Sequence, residues 1–201
     1  MGAGRDVSNA GTLAAKALGL GHLDGEIPMD SQAFTLFHVA ISLIAIVSGL
    51  IVLYGLLTNN RMAGLTLLFL VTTIATSATG FFFHRDHLMP SHIVGIISLV
   101  VLAVTTYALY AGKLRGFWRA VYVIGAVLSL YLNVFVLVVQ SFLKVPALHE
   151  LAPQGSEPPF AIAQGIVLLL FVVAGVFAVR RFRPDALSGY AGAAAAARSR
   201  P

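Results

Sequence analysis

The chain contains no cysteine, which excludes disulfides, thiolate metal sites and thiol catalysis and leaves the redox compartment open. Charge is scarce too. Only 10% of the 201 residues are Asp, Glu, Lys or Arg, whereas a soluble domain carries roughly 25%. Familiar catalytic signatures are also missing. The sequence has no phosphate-binding loop, no Gly-x-Ser-x-Gly elbow and no His-Glu-x-x-His pair, which argues against a Walker-type ATPase or a soluble hydrolase. Residues 1–31 have no basic stretch leading into an apolar run, so no cleavable signal peptide is expected. Asp6 stands where a myristoylation pattern requires Ser or Thr.

What fills the chain instead is apolar: 58% of residues are hydrophobic and the mean hydropathy is +0.89. These residues fall in runs of about 20, enough for a helix to cross a hydrocarbon core of roughly 30 Å. The pattern predicts an all-α integral membrane protein with five transmembrane helices, near 33–57, 62–83, 90–111, 117–143 and 160–179. Pro90 suits a helix's first turn, where its missing N–H costs no hydrogen bond. The first four spans carry polar stripes at helical spacing and the fifth offers only Gln164, so the expected architecture is a four-helix bundle plus one flanking helix. Residues 1–31 form an N-terminal segment expected to be poorly structured or interfacial, with 12–20 a weak candidate for a short surface helix. Residues 184–201 form an Ala-rich tail expected to be disordered.

Five spans place the termini on opposite sides, and the basic residues orient them. One side carries Arg61, Lys113, Arg115, Arg119, Arg180, Arg181, Arg183, Arg198 and Arg200 against the single acid Asp185. The other carries Arg5, Lys16, Arg85 and Lys144 against Asp6, Asp24, Glu26, Asp30, Asp86, Glu150 and Glu157. By the positive-inside rule the cation-rich side is cytoplasmic, with the N-terminus outside and the C-terminus inside. For a bacterial chain the membrane would be the inner one. The net charge of +5 thus reports topology, and the implied partner is the lipid bilayer, with no call for nucleic acid. A homo-oligomer or a larger membrane complex fits the same composition.

All six histidines, His22, His38, His84, His87, His92 and His149, then fall on the outer side or in the outer part of a span. The densest stretch is His84-Arg85-Asp86-His87-Leu88-Met89-Pro90-Ser91-His92. Imidazole, carboxylate and thioether groups are ligands for transition metals and costly in lipid. One reading is a Cu, Zn, Ni or Fe site built from His84, His87, His92, Asp86 and His38, with Met89 as a further donor. Another is a b-type haem ligated by His38 and His92, with His84 as an alternative and Phe81, Phe82 and Phe83 as its apolar wall. A third gives the histidines interfacial, pH-responsive or proton-passing roles. The start of the first span, His38-Val39-Ala40-Ile41-Ser42-Leu43, also faintly matches His92-Ile93-Val94-Gly95-Ile96-Ile97, as a duplicated hairpin would.

Helical spacing groups His38, Ser42, Ser48 and Gly49 on the first span and Thr73, Thr76, Gly80, His84 and His87 on the second. It groups His92, Gly95, Ala103 and Thr106 on the third and Ser129, Asn133, Gln140 and Lys144 on the fourth. Small and hydroxylated residues at such spacing permit close helix packing, whereas Asn133 and Gln140 are costlier to bury. If that last stripe lines a path, a small permease or a structural subunit of a membrane complex becomes the competing function. The Pro-rich stretch 144–159 is either an ordered outer loop or a lid carrying His149 and Glu150 toward the cluster.

Two segments carry a resemblance. The run Asn-Val-Phe-Val-Leu-Val-Val-Gln-Ser-Phe-Leu-Lys-Val-Pro-Ala-Leu-His from Asn133, with Ser156-Glu157-Pro158-Pro159-Phe160 and Ala163-Gln164, is similar to a group of small bacterial inner-membrane proteins. So is Ser91-His92-Ile93-Val94-Gly95-Ile96-Ile97-Ser98-Leu99. The resemblance implies a bacterial polytopic membrane protein and brings no activity with it.

Overall fold

The computed structural model describes residues 32–82 and 90–184. The elements are α1 (Gln32–Leu57), α2 (Ala63–Thr79) with a 3-10 turn (Gly80–Phe82), α3 (Pro90–Tyr110), α4 (Phe117–Lys144), the short α5 (Pro146–His149) and α6 (Pro158–Arg181). The protein is thus all-helical over the described residues, and five of these helices are long and apolar enough to cross a membrane. The segments 1–31 and 185–201, with the interfacial helix and disordered tail expected there, lie outside the described residues.

Short connections make successive long helices antiparallel neighbours. α1 packs on α2, α2 on α3, α3 on α4, and α4 closes the ring on α1. α6 lies against α4 and α1 and is the least buried of the five. Large apolar side chains face outward all round, among them Leu36, Val47, Leu67, Val71, Val100, Leu169 and Leu170. An exposed apolar surface of that extent is foreign to a water-soluble monomer.

The interior has two components. One is a cluster of Val52, Leu56, Phe69, Leu102, Val123, Leu130 and their neighbours. The other is a set of hydroxyl side chains, Ser48, Thr66, Thr73, Ser77, Ser98, Thr105 and Ser129, all buried. Two of them donate back along their own helix, Ser48 to the Ile44 carbonyl (2.7 Å) and Thr105 to that of Val101 (2.7 Å). Such residues need no partner on another helix and leave room for close approach. Closest of all is the α3–α4 crossing, where Gly125 lies against Thr105. On α1, a methyl group at Gly49 would come within 2.6 Å of Leu130 and 2.8 Å of Phe69.

The cation-bearing end is tied together by polar bonds. The Arg119 guanidinium, one turn into α4, donates to the carbonyls of Val179 (2.7 Å) and Phe182 (2.6 Å). These carbonyls close α6, so the charge also complements that helix's negative end. Asn59, with φ 56 in the turn after α1, accepts from the Arg183 amide at 2.7 Å. A residue read from sequence only as a topology signal therefore also caps a helix.

At the opposite end the 144–159 stretch is an ordered connection, with Pro146 opening α5 and Phe160 edge-on to Phe142 at 5.4 Å. Glu157, just before α6, accepts from the backbone amides of Gln154 and Ser156, both at 2.9 Å. Those hydrogen bonds, the Gln154 amide first, hold its carboxyl below the ordinary 4.5. A depressed carboxyl stabilises the folded loop above its unfolded value, and the effect is lost as pH falls through the folded one. Glu157→Gln should therefore speed hydrogen exchange at the Gln154 and Ser156 amides near neutral pH. The gap from wild type should close in acid; a gap unchanged with pH would reject the assignment.

Candidate metal centre at the histidine-bearing end

The antiparallel order brings the start of α1, the end of α2 and the start of α3 to one end of the bundle. His38 sits two turns into α1, half-buried, with Nδ1 2.8 Å from Thr79 Oγ1 on α2. Ser42, one turn further, donates to the His38 carbonyl at 2.6 Å and lies 3.5 Å from Thr76 Oγ1. The Thr79 hydroxyl has one proton and lies 2.7 Å from the Ala75 carbonyl, an acceptor that cannot donate. A Thr79 hydroxyl that donates to Ala75 accepts from His38 when the ring carries its proton on Nδ1. A backbone-satisfied hydroxyl thus orients the imidazole.

The α2 helix tightens into a 3-10 turn just beyond Thr79. Gly80 passes close to His38, whose Cε1 would lie 3.9 Å from a methyl group placed there. Phe81 then turns toward α3, its ring 5.8 Å from that of His92 and pressed against Gly95, where a methyl group would come within 3.0 Å. His92 is half-buried. The two histidines therefore flank the end of α2 from helices standing diagonally in the ring.

The remaining expected ligands, His84, His87 and Asp86, with Met89 and Phe83, lie outside the described residues, as does His22. Among the described residues no three His, Asp or Glu side chains gather into a metal-binding group. His149 and Glu150 are exposed in and beside α5.

The other stripes divide. Ser129 is fully buried, and Asn133 donates to Thr73 Oγ1 at 3.2 Å, tying α4 to α2. Gln140 and Lys144 are exposed among the described residues, so the four do not share one inward face there. On α3 the buried positions among the described residues are Ser98, Leu102, Thr105, Ala108 and Leu109, and Ala103 is exposed. Of the expected α3 face, Ala103 points outward, while His92, Gly95 and Thr106 are half-buried, and Thr105 is the more deeply buried of the two threonines. The reason is tertiary: Gly125 draws Thr105 into the α4 contact. Thr79 was not among the residues singled out from sequence. Its signal was there, three residues after Thr76 on the same stripe and aligned with a histidine at the matching depth of the antiparallel neighbour.

Comparison with protein-family models, with curated proteins and with solved structures returns no match to this chain.

Proposed function

We propose that the chain is a multi-pass protein of a bacterial inner membrane, N-terminus outside and C-terminus cytoplasmic, that handles a transition-metal ion at its outer rim. His38 and His92 supply imidazoles from α1 and α3. His84, His87 and Asp86 belong to the seven-residue connection between Phe82 and Pro90, whose two ends stand at that rim. The orientation rests on the basic residues.

The observation that carries the metal reading is the Thr79 bond to His38 Nδ1. Ligating histidines characteristically donate their other ring N–H to an oxygen, which orients the ring and raises the basicity of the ligating nitrogen. His38 has that arrangement with Nε2 as the donor atom. Neutral imidazoles with a carboxylate suit copper, zinc, nickel or iron.

The test is an absorption spectrum and elemental analysis of the protein purified in mild detergent. One equivalent of a transition metal without a Soret band is the expected result, lowered in His38→Ala and in His92→Ala. A Soret band that shifts on reduction would replace the ion with haem. Absence of both, with the two variants folded and unchanged in function, would remove the cofactor reading. An active periplasmic reporter fused after Arg183 would reverse the orientation.

A further inference from the structure

At the other end of the bundle, the turn before α2, the last turn of α3 and the first turns of α4 enclose a cavity of about 50 Å³. Arg61, Thr66, Tyr110, Leu114 and Tyr122 are on its wall. A single water needs roughly 10–15 Å³, so the space admits a tetrahedral oxyanion. Every polar side chain on this wall can donate: one guanidinium, two phenols and one hydroxyl. Tyr122 is 3% exposed and Thr66 5%, yet their oxygens stand 3.5 Å apart, the limit of a hydrogen bond. One proton serves that contact, and the other hydroxyl keeps its donor for a third group. Arg61 and Tyr110 are exposed at the cavity's edge, and the acids among the described residues, Glu150 and Glu157, are both at the opposite end.

The turn that closes the cavity is itself unusual. Lys113 and Leu114 are consecutive residues at φ 49 and φ 58, a region L-residues with a Cβ rarely enter. That backbone buries Leu114 in the cavity wall, at 2% exposure, and leaves Lys113 and Arg115 exposed on either side of it.

We infer that this cavity binds a phosphate group, taken by the Arg61 guanidinium and the hydroxyls of Tyr122, Thr66 and Tyr110. A planar guanidinium offers two parallel N–H bonds to phosphate oxygens, and the phenols complete a tetrahedral set of donors. The phosphate comes either from an anionic lipid headgroup in the cytoplasmic leaflet or from free phosphate. The lipid source rests on the membrane-spanning reading above; neither source depends on the metal centre, which stands at the other end.

The experiment uses the full chain in a non-ionic detergent. Inorganic phosphate is titrated by calorimetry, and phosphatidylglycerol or phosphatidylcholine is added before native mass spectrometry. One equivalent of a single probe should bind, and Arg61→Gln and Tyr122→Phe should each weaken it about tenfold or more. Arg61→Lys should fall between. Phosphatidylglycerol retained in preference to phosphatidylcholine identifies the lipid source, and saturable inorganic phosphate the free one. Tyr122→Phe removes one oxygen from a packed ring, and a thermal melt verifies its fold. If no probe binds saturably, or both variants bind as wild type does, the site does not exist. Metal content, measured on the same samples, reports separately on the histidine end.

Discussion

Replacing Gly125 with alanine should destabilise the fold by about 3 kcal/mol, the upper part of the range for overpacking a well-filled interior. A methyl group there would overlap Thr105 Oγ1 and lie 3.1 Å from Thr105 Cβ. Thr105 cannot give way easily. It is fully buried and its hydroxyl is bonded to the Val101 carbonyl, so rotating χ1 gives up that bond inside a filled interior. The remaining relief is to move α3 and α4 apart, which loosens the cluster around Leu102 and Val123. Unfolding in a detergent titration measures the loss, and a double-mutant cycle assigns it. Thr105→Ala alone should cost about 1 kcal/mol as a small cavity. With Thr105→Ala in the background, Gly125→Ala should recover most of its stability, because the added methyl enters the space the threonine vacates. If Gly125→Ala is as stable as wild type, or the two losses simply add, the crossing is not governed by this contact.

That crossing also marks the boundary of what the sequence discloses. Hydropathy places the five long helices, because a helix of bilayer length needs an unbroken apolar run and the polar breaks at 58–61, 112–116 and 180–184 interrupt it. The same hydropathy says little about rotation. When lipid-facing and core-facing residues are equally apolar, only small and hydroxylated residues distinguish the faces, and these recur on more than one face of α3. Thr105 and Thr106 are adjacent in the chain and indistinguishable by type; Gly125, on another helix, decides between them. The turn after α3 is a second case. Gly112 and Gly116 look like the residues that release the backbone, and Gly116 does have φ 50, yet Lys113 and Leu114 adopt left-handed conformations too. Gly112 is needed for a different reason, its contact with Trp118, whose Cβ would lie 2.8 Å from a methyl group there.

The candidate sites divide along the same line. His38 and His92 were legible because an imidazole inside an apolar run is costly and therefore conspicuous. Thr79 was not, because threonine is ordinary in such a run and its role appears only when α1 lies beside α2. Arg61 and Arg119 were counted together as cytoplasmic charges. In the folded chain Arg119 is committed to the end of α6, whereas Arg61 faces a cavity. Charge counting reports the side of the membrane and cannot separate a cap from a ligand-binding residue.

Thr79→Val should weaken metal binding at the histidine rim about 10- to 100-fold, the range for losing an outer partner of a ligating imidazole. Valine keeps the shape of threonine and removes only the oxygen that accepts from His38 Nδ1. The helix loses nothing essential, since the Thr79 hydroxyl's own donation, to the Ala75 carbonyl, adds to a backbone already in helical form. Loss of the imidazole's acceptor should cost about 1 kcal/mol of stability, too little to unfold a five-helix bundle. Without that acceptor, part of the population puts its proton on Nε2, where it blocks coordination. A purely structural threonine would move the unfolding transition and leave metal affinity alone, so competition against a chelator of known strength is the decisive readout. Thr79→Ser restores the oxygen and should restore affinity to within a few-fold of wild type, although it discards the methyl. Should Thr79→Val hold metal as tightly as wild type, or Thr79→Ser fail to rescue it, the threonine does not position His38, and coordination through Nε2 loses its support.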